Sequence, residues 1–203
     1  MVSQPEFEAI GKKFDDLELR GSLYPMFTKM VDNGLMAEAF IFILTTWNSG
    51  RFRMFATTKF DYNEFTKLVE KLKPFLNKFK DKNFETIHFD DFKEDIKHIY
   101  SKLSVVKGVE YTGAAKAMHL GNREVFVMWD ENIRRHYGFK KTGLDYLNFL
   151  KKMQVEFKGI KKYEGVTYAK SLAKCIDEYN YITYTLLPKE KNKKSSGKSP
   201  SEK

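Results

Sequence analysis

The sequence holds one cysteine, Cys175. That excludes an intrachain disulfide, a four-cysteine zinc site and a cysteine-ligated iron–sulfur cluster, and it leads us to expect a cytoplasmic protein. Long apolar runs are also lacking. The longest, residues 39–44, falls far short of the roughly 20 residues of a membrane span, so no membrane partner is expected. Glu6 and Glu8 near the start depart from the basic-then-apolar order of a signal peptide. The four histidines, His88, His98, His119 and His136, stand at no metal-ligand spacing relative to one another or to Cys175, and no metal is expected. Residues 108–113 contain two glycines but lack the Lys-Ser/Thr ending of a phosphate-binding loop. Nucleotide hydrolysis is therefore unsupported, and no cofactor is expected. Strand patterning is sparse, confined to two short β-prone stretches at 125–128 and 181–187.

Apolar material is plentiful: 42% of the 203 residues are hydrophobic and 15% aromatic, enough for one domain or two small lobes sharing a core. Lys plus Arg number 36 against 27 Asp plus Glu, a formal charge of +9. Residues 189–203 carry six Lys and two Glu among serines, the composition of a disordered basic tail. The remaining excess is spread over the folded body, and a basic body favours a polyanionic partner through counterion release.

Helical spacing dominates. Phe7, Ile10, Phe14 and Leu17 share one face; residues 35–47 read as a helix apolar nearly all round, the kind that sits centrally in a core. Phe65, Leu68, Val69, Leu72, Phe75, Leu76 and Phe79 form the next stripe, expected to kink or restart at Pro74, which lacks an amide donor. Asp90 or Asp91 is expected to cap a helix with Phe92, Ile96, Ile99, Tyr100 and Leu103 inward. Thr142 and Asp145 resemble a capping box opening a helix with Tyr146, Leu150, Met153 and Phe157. A last helix is expected over 167–180, with Leu172, Ala173, Ile176 and Tyr179 inward. The fold class is mainly α.

Residues 103–120 carry the functional argument. An apolar helix end meets a Gly108-Val109 turn, and small residues Gly113, Ala114 and Ala115 open a second helix, so the two helices form a tight hairpin. Val109 is expected to plug between them. Amides free at the second helix's start can grip a phosphate without side-chain charge, with Lys107 and Lys116 adding Coulomb attraction. Asp130 follows the apolar residues 125–129 and precedes a helical stretch, so it is expected to be an N-cap.

In this order of parts the sequence resembles the helix-hairpin-helix DNA glycosylase superfamily, over roughly residues 35–137. Gly108, Val109 and Glu110 fall on that family's Gly-hydrophobic-Gly hairpin, Ala114 on its packing alanine, and Asp130 on its catalytic aspartate. The resemblance implies a two-lobed helical fold with a cleft between lobes, residues 1–30 with 138–188 forming one lobe and 31–137 the other. It also implies a monomeric DNA-repair protein, a monofunctional DNA N-glycosylase excising a damaged or mismatched base, with Asp130 stabilising positive charge on the sugar and orienting water. The hairpin residues Lys107, Gly108, Val109, Gly113 and Lys116, with Arg134 and Arg135, would contact DNA. Trp47, Asn48 and Trp129 would probe the duplex or line a base pocket. Two positions depart from the pattern. Glu110 replaces the second hairpin glycine, and Thr112 stands where bifunctional members hold a Schiff-base lysine, which disfavours β-lyase chemistry through that position. A non-catalytic protein that uses the same scaffold to bind DNA structure or a protein partner is the alternative.

Overall fold

The computed structural model describes residues 2–48, 50–165 and 168–188. The basic tail, and Thr167 at the start of the expected last helix, lie outside them. Among the described residues there are ten α-helices and no β-strand: α1 (Gln4–Leu17), α2 (Tyr24–Asp32), α3 (Met36–Trp47), α4 (Arg51–Ala56), α5 (Tyr62–Asn77), α6 (Lys93–Ser104), α7 (Glu110–Gly121), α8 (Glu131–His136), α9 (Gly143–Glu156) and α10 (Leu172–Tyr181). The mainly α class is as the periodicity indicates, and no helix among the described residues is long and apolar enough to cross a membrane.

Short polar side chains start five of these helices. Ser3, Asp61, Asp130, Thr142 and Ser171 each accept a hydrogen bond from an amide two or three residues on, satisfying a donor the helix leaves orphaned. The Thr142 cap of α9 and the Asp130 cap of α8 are those the sequence indicated, Thr142 Oγ1 accepting from the Asp145 amide at 3.1 Å. Neither Asp90 nor Asp91 caps α6, whose N-cap is Phe92 at the end of a 3₁₀ turn, Phe89–Phe92. Asp90 instead takes Lys151 of α9 at 2.7 Å. Helix α5 runs through Pro74 without restarting; the proline sits in the last turn, where its missing amide removes a single bond.

Helix α7 lies at the centre. It packs most extensively on α6 and also meets α3 and α2, while α6 in turn packs on α9. Small residues make this possible: Gly113, Ala114, Ala115 and Ala117 are all buried. Helix α3 is less enclosed than its composition suggests, since Ala39, Phe40, Ile43 and Leu44 are buried while Phe42 is exposed. Leu17, placed inward by its spacing, is also exposed, because α1 ends there.

Two stretches differ in kind from the expectation. Val125 closes a turn on the Asn122 carbonyl, and residues 126–129 then run as a buried extended stretch that pairs with no strand among the described residues, the Tyr146 hydroxyl holding the Val127 carbonyl at 2.9 Å. The second β-prone stretch continues α10 as a wide π-helical turn, Ile182–Leu186. Its β-branched residues pack because α1 and α8 flank it. Helix α10 is buried on every face, including Lys174, Asp177, Glu178 and Asn180, which the stripe placed outward. Helix α1 packs along it, bringing the start of the chain against its end.

Candidate functional site: a cleft beside the helical hairpin

The hairpin is built as α6, a turn at 105–109, and α7. Gly108 has φ +83°, and a Cβ there would come within 2.8 Å of the Phe55 ring, so both conformation and space call for glycine. Val109 is fully buried, as expected of a plug. Glu110 also adopts a left-handed conformation, φ +51°, at a cost of about 1 kcal/mol for a residue with a Cβ. The turn is clamped from outside by Asn48, whose Nδ2 donates to the carbonyls of Gly108 at 2.8 Å and Val109 at 3.1 Å. Asn48 is therefore a hairpin latch, and a probing role would require breaking both bonds. Gly113, assigned to DNA contact from the sequence, is buried. A Cβ there would meet Leu44 at 2.6 Å and Asn48 Nδ2 at 3.1 Å, so it serves the close approach of α3 and α7.

Asp130 ends the buried extended stretch. Its Oδ1 accepts the amides of Asn132 at 2.8 Å and Ile133 at 2.9 Å, and its Oδ2 accepts the Thr185 hydroxyl at 2.7 Å from the π-helical turn. It caps α8 and at the same time faces a cleft of about 500 Å³. That size suits a small organic ligand or a single nucleoside unit. One wall is the first turn of α7, with Tyr111 and Thr112; Trp47 and Lys116 adjoin it, and Asp130 stands beside them. The other wall comes from the chain's two ends, with Phe14, Glu18 and Arg20 on one side and Lys174, Asp177 and Tyr181 on the other.

The cleft is charged in both senses. Glu18 binds Arg20 at 2.5 Å and accepts the Tyr181 hydroxyl at 3.1 Å; burial opposes its ionisation, but these partners hold its carboxyl below the usual range. Glu131 accepts hydrogen bonds from the Tyr111 hydroxyl and from Arg134, and pairs with Arg135. Burial again works against the charge, yet these three hold its pKa down to about 2. Lys141 lies 4.3 Å over the Tyr111 ring at the mouth.

Three lysines reach inward around this region, and they differ in company. Lys170 Nζ contacts Asp15 and Glu178, each at 2.7 Å. Lys174 Nζ contacts Asp177 at 2.8 Å and Glu178 at 3.4 Å, and lies about 5 Å from the rings of Phe14, Tyr24 and Trp47. Burial alone would lower the pKa of Lys174, but its carboxylates raise it well above normal. Lys116, one helical turn beyond Thr112 on α7, donates instead to the Trp47 carbonyl and forms no ion pair among the described residues. Burial dominates there and lowers its pKa to about 8. Asp130 and Asp177 act against that shift, while Arg20 and Lys174 add to it.

The other sequence-indicated residues divide. Lys107 is exposed at the hairpin turn. Arg135 is 71% exposed in its side chain, whereas Arg134 is only 11% exposed; it donates to the Phe139 carbonyl and binds Glu131 at 3.0 Å, so it fastens α8 internally instead of facing a phosphate. Lys116 is half-buried on the cleft wall. Trp129 is a core residue, packed among Tyr100, Tyr146 and Phe149, with its Nε1 donating to the Tyr111 carbonyl at 3.4 Å. Trp47 lies parallel to Tyr24 at 6.2 Å, and its buried Nε1 finds no partner.

Arg20, Tyr111, Lys174, Asp177, Tyr181 and Thr185 line the cleft and were not singled out by sequence reasoning. Only α10 carried a signal: Lys174, Asp177 and Glu178 pair at three- and four-residue spacing inside an otherwise apolar helix. No group of His, Cys, Asp and Glu suited to a metal ion occurs among the described residues. No protein-family model, curated protein or solved structure matches the chain.

Proposed function

We propose that the protein binds DNA through the hairpin and removes a damaged or mismatched base in the cleft, as a DNA N-glycosylase with Asp130 as its catalytic carboxylate. One observation carries this reading: the first turn of α7, where helix geometry presents amides to a phosphate, and the Asp130 carboxylate line the same cleft. The two arise from segments about 20 residues apart, and the stretch 126–129 brings them together. The cleft walls also suit the expected two-lobe division. Phe14, Glu18, Arg20, Lys174 and Tyr181 come from 1–30 with 138–188, and the facing wall comes from 31–137.

In this reading a base leaves the stack to enter the cleft, and the Asp130 carboxylate faces the sugar carbon that gains positive charge as the glycosidic bond breaks. A water oriented by Asp130 adds to that carbon, and the base departs. Thr185 holds the second carboxylate oxygen in place. Asp130→Asn preserves a good N-cap, so the variant is expected to fold and bind DNA normally while losing base release by about 10²-fold or more. A panel of duplexes carrying oxidised, alkylated, deaminated and mismatched bases tests this by measuring free base. Release from none of them, or equal release by Asp130→Asn, defeats the reading.

The acidic Glu110 at the hairpin turn and Thr112 in place of a lysine favour a second reading, in which the scaffold binds DNA structure or a protein partner without chemistry. Under it, mutating Asp130 changes nothing measurable about the bound complex.

A further inference from the structure

The end of the described chain is fastened beside the cleft. In the π-helical turn Ile182–Leu186, Thr185 donates to Asp130 at 2.7 Å, and the Tyr184 ring stacks on His136 of α8 with centroids 3.7 Å apart. Pro188 follows and is exposed. Residues 189–203 therefore start shortly after Thr185, which lines the cleft. They carry six Lys, two Glu and no hydrophobic residue, a net charge of +4 with nothing apolar to bury. A second cationic segment stands at the same rim. Residues 131–144 hold Arg134, Arg135, Lys140 and Lys141 against a single acid, Glu131. That carboxylate is already engaged by Arg134, Arg135 and the Tyr111 hydroxyl. Lys140 and Lys141 are exposed and form no ion pair among the described residues; Lys141 lies over the ring of Tyr111, and both line the cleft. The His136–Tyr184 stack and the Asp130–Thr185 bond thus hold two stretches of like charge, about 50 residues apart in sequence, at one rim. Like charges gathered this way repel one another, and a polyanion offsets that repulsion.

We propose that residues 131–144 and the basic tail form one backbone contact for duplex DNA, separate from the hairpin, with the tail as an arm along the duplex beside the cleft. For its partner the proposal rests on the DNA-repair reading. A small anion meets only one or two of these cations, whereas a phosphate backbone offers a charge about every 3.4 Å along each strand and meets segment and arm together. The arm spans at most about 50 Å when fully extended, which limits it to about 15 base pairs from the cleft. Contact of this kind works by counterion release and carries no base preference of its own.

The test titrates full-length chains against an undamaged duplex of about 30 base pairs, by fluorescence anisotropy between about 50 and 200 mM salt. Lys189→Gln, with the same change at Lys191, Lys193, Lys194, Lys198 and Lys203, is expected to flatten the slope of log affinity against log salt by about 3–5. Binding at about 50 mM salt is expected to weaken at least about tenfold. Lys140→Gln is expected to flatten the slope by about 0.9. Arginine at the same six tail positions keeps the charge and is expected to keep the slope. A glutamine tail with the unmutated slope overturns the proposal, as does an arginine tail that loses it. An unaltered slope in Lys140→Gln removes the 131–144 segment and overturns the joint contact. No duplex binding by the unmutated chain overturns the proposal together with the DNA reading. A tail-dependent slope without base release from any damaged duplex upholds this contact and counts against the glycosylase reading alone. Binding of polyglutamate in place of duplex, lost with the glutamine tail, assigns the segments to an acidic protein and overturns DNA as their partner.

Discussion

His119 is fully buried in α7 between two polar partners. Its Nδ1 lies 2.6 Å from the Phe126 carbonyl, which can only accept, so that nitrogen carries the hydrogen. Nε2, 2.6 Å from the Tyr24 hydroxyl, is then the acceptor. The imidazole is held neutral, and burial lowers its pKa to about 3. Between pH 6.5 and 3 the unfolded chain binds a proton that the folded chain refuses, so stability falls as pH falls through that window. The loss is on the order of a few kcal/mol at its lower end. Thermal melting of the unmutated chain and His119→Gln from pH 7 to 3 checks this; parallel curves would show that His119 does not titrate as described. In the sequence His119 stood only as a histidine at no metal-ligand spacing; its partners come from α2 and the extended stretch, which helical spacing cannot place.

At the scale of elements, the hairpin depends on how closely α3 approaches α7. Gly113→Ala puts a methyl group against Leu44 and Asn48, the residue that latches the turn. The expected cost is about 1–3 kcal/mol, as for other overpacked cores, with lost protection of the 105–112 amides in hydrogen exchange. Unchanged melting and exchange would mean that Leu44 and Asn48 yield freely. The hairpin, the Thr142 cap and the Asp130 cap were legible because each is written in a few adjacent residues. The burial of α10 was not. Its outward-looking Lys174, Asp177 and Glu178 are enclosed only because α1 packs along the helix and Lys170 and two tyrosine hydroxyls meet Glu178.

For the molecule as a whole, the proposed DNA contact has a salt signature. Lys107, Arg135 and Lys141 are exposed around the hairpin and the cleft mouth, and neutralising three phosphates would weaken binding by on the order of 10- to 100-fold between 50 and 200 mM salt. Lys107→Ala should reduce the slope of log affinity against log salt by about 0.9, with little change for Asp130→Asn. Duplex titrations by fluorescence anisotropy measure both slopes. Identical slopes for Lys107→Ala and the unmutated chain would remove Lys107 from the interface.

The sequence by itself determined the helical class, the Thr142 and Asp130 helix starts and the hairpin turn. Those features are set by spacing, caps and glycine conformation within a few residues. Tertiary structure decided that Asp130 caps a helix and faces a cleft together, that Arg134 and Gly113 are internal, and that Lys116 lacks the carboxylates given to Lys170 and Lys174. Charge state and exposure depend on neighbours that the fold brings from distant parts of the chain.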